Sequence, residues 1–130
     1  MWYLPNMIKR SEGAQQRLRN KQLIIYLTEK LDKQYPNEGW LLISDGTNVG
    51  LENCDMDLYL FMLKVHMVYY PRSLKYMITY NIPHVIDDVV KSLMDSMHDE
   101  LRNRVKLPKY KEVIDKYVDE KYVPSFFTRT

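Results

Sequence analysis

Residues 40–83 read WLLISDGTNVGLENCDMDLYLFMLKVHMVYYPRSLKYMITYNIP, and the fold follows from this stretch. The run at 40–44 is apolar without alternation and of strand length, as expected for a strand covered on both faces. Residues 45–53 carry Gly46 and Gly50 and read as a loop. Asn53 is the expected helix cap, with Asp55 and Asp57 favourable near the positive end of the helix dipole. Residues 54–70 are apolar nearly all round, through Met56, Leu58, Tyr59, Leu60, Phe61, Met62, Leu63, Val65, Met67 and Val68. Such a helix is normally buried. Pro71 ends it, and 75–80 form the next strand.

Working outward, residues 1–8 read as a short strand weakened by Pro5, and 9–16 as a loop containing Gly13. The spacing of Leu23, Leu27, Leu31 and Tyr35 predicts a helix over 17–35 with those residues on one face. Pro36-Asn37-Glu38-Gly39 stops it. On the other side, Pro83 suits the first turn of a helix over 83–97. Val85, Val89, Leu93 and Met97 form its apolar stripe, with Ile86, Val90 and Met94 beside it and Asp87, Lys91 and Asp95 opposite. Residues 102–107 alternate charge with apolar groups and read as a half-exposed edge strand. That strand would project Arg102, Arg104 and Lys106 to one side. A short amphipathic helix over 110–117 follows, and 123–127 are apolar enough to dock. Strands and helices thus alternate, which argues for an α/β layer fold with mainly parallel pairing.

The chain has 130 residues, 45% hydrophobic and 28% charged, enough for one domain with one core. A net charge of +2 gives no case for a nucleic-acid partner. The apolar run 58–70 is interrupted by Lys64 and His66 and is too short to cross a bilayer. Residues 1–10 lack the basic-then-apolar order of a signal peptide. Cys54 is the single cysteine, so neither an internal disulfide nor a thiolate metal site is expected. These features suit the cytosol or the cytosolic face of a membrane.

Catalytic templates fail. Gly46 and Gly50 flank Thr47-Asn48-Val49 without a phosphate-binding pattern, and no Gly-x-Ser-x-Gly elbow occurs. Cys54 has no histidine near it in sequence. His66, His84 and His98 lie at no metal-ligand spacing, and Asp87-Asp88 with Asp95 read as the solvated face of a helix. The expectation is no enzyme, no cofactor and no metal.

Five features in order then carry a resemblance. They are Leu41-Leu42-Ile43-Ser44-Asp45, Asn48-Val49-Gly50, Asp55-Met56-Asp57, Tyr69-Tyr70-Pro71 and Asn81-Ile82-Pro83. Together they resemble the CRAL-TRIO (Sec14-like) lipid-binding domain. The resemblance implies a mainly parallel sheet covered by helices, with an amphipathic gate helix over 83–97. It also implies that 1–130 is a single, shortened domain without the family's N-terminal helical segment. Asp45, Gly50, Pro71, Asn81 and Pro83 would be its structural positions. Leu42, Leu60, Leu63, Met67, Ile78, Tyr80, Val85, Val89, Leu93 and Met97 would line the lipid pocket and gate. Arg102, Arg104 and Lys106 would touch lipid head groups, or merely guard a strand edge with charge. The stripe on 83–97 could equally be core.

Two departures from the pattern stand out: His84 replaces an aromatic, and Val123-Pro124-Ser125-Phe126-Phe127 lacks the terminal glycines. The function implied is non-catalytic binding, with possible transfer, of a hydrophobic ligand such as a phospholipid at a membrane surface. That surface would be the cytosolic face of the endoplasmic reticulum or another membrane. The alternative is a protein-interaction module with the same fold and a collapsed pocket.

Overall fold

The computed structural model describes the backbone of residues 2–3 and the whole of 12–71 and 73–130. In these residues four parallel strands lie in the order β1-β2-β3-β4: β1 (Trp2–Tyr3), β2 (Trp40–Asp45), β3 (Leu74–Tyr80) and β4 (Val105–Lys106). Parallel neighbours need crossover connections. These are supplied by α1 (Ala14–Gln34) and α2 (Met56–Tyr69), and then by α3 (Asp87–Asp95) with α4 (Asp99–Arg104). A last helix, α5 (Tyr110–Lys116), follows β4. The rest of the strand expected over 1–8 lies outside the described residues.

Strand alternation divides the interior in two. Trp40, Leu42, Leu74, Met77 and Val105 face one way and pack with Leu63 of α2 and Met97, under Leu31, Leu60, Leu93 and Leu101 of the crossover helices. Ile43, Ile78 and Tyr80 face the other way, against Tyr110 and Val113 of α5 and Val123 and Phe127 of the tail. The tail therefore docks, as its composition suggested.

Three local expectations are corrected. The cap of α2 is Asp55, not Asn53: its Oδ1 accepts the Leu58 N–H at 3.1 Å, while Asn53 closes the preceding 3₁₀ turn by accepting from Gly50 N–H at 3.0 Å. Most of the stripe on α1 is turned outward: Leu23, Leu27 and Tyr35 are exposed, Leu31 packs against the core, and the buried residue is Thr28. Lys21 of α1 pairs with Asp57 of α2 at 3.1 Å. Finally, 102–104 are helical, and only Val105–Lys106 form a strand. Acidic Asp99 and Glu100 in the first turn and Arg102 and Arg104 in the last complement the helix dipole, which favours α4 over an extended edge.

Asp45 joins distant parts of the chain. Its Oδ1 accepts the Thr47 N–H at 3.0 Å and its Oδ2 accepts the Thr128 N–H at 2.8 Å. Tyr80 completes the strap by donating its hydroxyl to the Thr128 carbonyl at 2.9 Å. Burial opposes ionisation of Asp45, but the Thr128 and Thr47 donors outweigh it and hold the carboxyl below its ordinary value. Its contribution to stability is therefore present above a pH of about 4 and is lost as pH falls through the depressed folded value.

His66, 2% exposed on α2, donates Nδ1–H to the Met62 carbonyl at 2.9 Å, edge-on to Trp40. Burial pushes its pKa below the ordinary value, the Met62 carbonyl only partly offsetting this. The unfolded chain thus takes up this proton first, so stability is lost as pH falls below about 6.5.

Asp45→Ala leaves two backbone donors unpaired and should lower stability by about 1–3 kcal/mol in denaturant titration at neutral pH. An unchanged midpoint would remove the strap from the list of stabilising contacts. For His66→Phe, the decline in midpoint between pH of about 7 and 5 should flatten relative to wild type. A parallel decline in both proteins would assign it to other groups.

Candidate functional site

Where β2 and β3 end, their large inward side chains give way to small ones, and a cavity of about 120 Å³ opens beneath α3. Ser44 and Thr79 are cross-strand partners in the parallel register and both line it. They continue the parity of Leu42 and Met77, two residues earlier. Gly46 forms the rim next to Ser44; its N–H donates to the Tyr80 carbonyl at 2.8 Å. A Cβ there would stand 2.7 Å from that oxygen, so the close approach requires glycine.

The second wall is the first part of α2. Asp55, Leu58, Tyr59 and Met62 recur at helical spacing and line the cavity, with Met56 beside them. Burial pushes the Tyr59 phenol up to about 12, with the Thr79 side chain pulling the other way, so this hydroxyl is neutral. The third wall is α3 with the turn before it, contributing Ile86, Val89, Val90, Leu93 and Met94. Val105 and Leu107 close the side at β4.

Of the residues expected to line a pocket, Val89 and Leu93 do so. Leu42, Leu63 and Met97 instead belong to the packed core beneath, with Leu60 against it. Met67 is half-buried farther along α2, outside the lining. Ile78 and Tyr80 lie on the opposite face of the sheet, against α5 and the tail. This follows from strand parity: the side chains flanking Thr79 point away from it. Val85 is 68% exposed, because His84–Ile86 form a 3₁₀ turn rather than the first turn of α3. Three residues per turn break the four-residue phase that aligned Val85 with Val89.

The basic row also dissolves. Arg102 donates to the Met97 carbonyl at 2.7 Å and to Met94 at 3.2 Å, holding the end of α3. Arg104 donates to Leu74 at 2.9 Å and Pro71 at 3.3 Å. Lys106 lies over the Tyr76 ring, 5.3 Å from its centroid. These cations secure backbone and ring, and do not present one charged face.

Among the structural positions, Asn81 adopts a left-handed backbone with φ of 57° and serves three bonds. Its N–H donates to Pro108, its Oδ1 accepts the Tyr110 N–H and its Nδ2 donates to Thr130. Gly50 precedes the 3₁₀ turn, Pro71 follows α2, and Pro83 precedes the turn before α3.

Sequence reasoning missed Ser44, Tyr59, Met62 and Thr79. Parity with Leu42 was available for Ser44, as was the general tendency of ligands to sit at the carboxyl ends of parallel strands. Among the described residues, no three His, Cys, Asp or Glu side chains converge as a metal site. No helix in them is long and apolar enough to cross a membrane.

A parallel sheet with an apolar cavity at its carboxyl edge under an amphipathic helix defines a class of small-ligand-binding α/β domain. A family model described as the CRAL/TRIO domain matches residues 5–128, and the chain belongs to that family. CRAL/TRIO domains generally bind small lipophilic ligands.

Gly46→Ala should lower the denaturation midpoint by an amount equivalent to about 1–3 kcal/mol, since the new methyl meets a backbone oxygen. A neutral substitution would mean that the rim relaxes freely.

Proposed function

We propose that this domain is a non-catalytic binder of a hydrophobic ligand, a phospholipid or similar amphiphile, exchanged at the cytosolic face of a membrane. The observation that carries this reading is the apolar cavity walled by Val89, Val90, Leu93 and Met94. Each methylene moved into it from water contributes about 0.8 kcal/mol. At about 120 Å³ the cavity is well below the 300–1,000 Å³ of common ligand sites. A long chain therefore enters only as α3 swings outward. The helix suits that motion: it is nine residues long, has no fully buried side chain, and carries Asp87, Lys91 and Asp95 on its exposed face. Within the family, Asp55-Met56-Asp57 and Val68-Tyr69-Tyr70-Pro71 look most like the domain of motile sperm domain-containing protein 2.

The small volume favours a second reading, a protein-interaction module whose pocket has collapsed onto its own Met and Tyr side chains. Native mass spectrometry separates the two: a co-purifying lipid mass supports the first reading, and a bare chain supports the second. For the first, Val89→Asp with Leu93→Asp should abolish lipid loading while circular dichroism stays native. Outright unfolding of the double variant would make these positions core and remove the gate.

A further inference from the structure

The polar side chains of the cavity wall are nearly all engaged within the fold. Asn53 accepts the Gly50 N–H at 3.0 Å and Asp55 accepts the Leu58 N–H at 3.1 Å. The Cys54 thiol donates to the Gly50 carbonyl at 3.4 Å, and the Tyr59 and Thr79 hydroxyls meet each other. Ser44 differs from these. It is 4% exposed, it lines the cavity, and its side chain makes no hydrogen bond among the described residues. A buried hydroxyl in that state is unfavourable, and an alanine at the same place would avoid the cost.

The register of the sheet gives this hydroxyl a neighbour. Ser44 and Thr79 are partners across β2 and β3, and both side chains face the cavity. Neighbouring strands stand about 4.8 Å apart, so a single oxygen seated over the pair is within hydrogen-bond reach of both. Each hydroxyl donates once and accepts twice, so Thr79 keeps bonding capacity after meeting Tyr59, and Ser44 keeps all of its own. The lining residues Met62, Val89 and Leu93 offer only carbon and sulfur, which suits an alkyl chain.

We infer that the cavity takes an alkyl chain ending in a hydroxyl, bound hydroxyl-first on the Ser44–Thr79 pair. Ser44 is the residue that reads the polar end, with Thr79 as its second contact. The inference rests on the hydrophobic-ligand reading and is tested separately from it.

The 130-residue chain is titrated with 1-hexanol and with hexane, and amide chemical shifts report binding. The two probes share a carbon chain and differ by one hydroxyl. In Ser44→Ala the dissociation constant for hexanol should rise about tenfold while that for hexane stays within about twofold. Thr79→Val keeps the branched shape of the side chain and should weaken hexanol selectively in the same way. Equal weakening of both probes would assign the loss to the shape of the wall and overturn the inference. So would unchanged hexanol binding in Ser44→Ala, or failure of that variant to fold, which would make the hydroxyl part of the fold. Wild-type binding of hexane without hexanol would also overturn it, and would leave hydrophobic binding intact. If neither probe binds the wild type, the hydrophobic-ligand reading falls and takes this inference with it.

Discussion

The pairing of β2 with β3 governs everything else in this domain. Their parallel register fixes which side chains stand together, and the two-residue period of a strand sends each pair to one face. Leu42 with Met77 feeds the core under the crossover helices, and Ile43 with Ile78 feeds the core under α5. The next pair on the helix side is Ser44 with Thr79. Nothing large enough to fill the space sits there, so the packed layer ends and the cavity begins. A slip of one residue would put Ile78 beneath α3 and Thr79 against Val113, closing the cavity and opening a void on the other side.

Two polar devices keep that edge in place, and both act on the face away from the cavity. Asp45 and Tyr80, a cross-strand pair, together hold Thr128 by its N–H and its carbonyl. Asn81, one residue on, fixes Pro108 and Tyr110 and turns the chain with a left-handed backbone. The strands are thus locked at their carboxyl ends by the tail, which leaves their other face free to be hollow. Had the same bonds been made from the cavity side, their polar groups would have filled it.

The α/β class and its parallel pairing were legible because the deciding signals were local. The run at 40–44, the all-round apolar helix after it and Pro71 each carry their meaning within a few residues. The cavity wall was harder to read, since an apolar pocket suggests apolar residues and two of its floor positions are Ser44 and Thr79. Strand parity would have excluded Ile78 and Tyr80 once Thr79 was placed inward. Val85 depended on the phase of a turn: four-residue spacing assumes an α-helix from Pro83, whereas the helix begins at Asp87. Arg102 and Arg104 alternate as a strand would, yet the neighbouring Asp99 and Glu100 make a better helix than edge. Alternation over so few residues is weaker than a helix with acids at its start and bases at its end.

On the hydrophobic-ligand reading, the outer wall would have to move to admit a chain. Helix α3 is tied at its far end, where Arg102 takes the Met94 and Met97 carbonyls and Met97 is buried in the core. At its near end Asn81 is locked, while residues 82–85 are held by local contacts: the turn closed by Ile86 N–H on Pro83 and an exposed bond between His84 and Asp87 at 3.1 Å. Between these points Val89, Val90, Leu93 and Met94 are only half-buried, so lifting them exposes less apolar surface than removing core residues would. A ligand chain of six methylenes would gain roughly 5 kcal/mol on burial, enough to offset the loss of a few such partial contacts. Met56, Met62 and Met94 in the wall can then repack around whatever enters, since an unbranched thioether has no single preferred shape to defend. On the hydrophobic-ligand reading, a firm tie at the far end, local contacts at the near end and a weak seal between them would let α3 bow outward rather than detach.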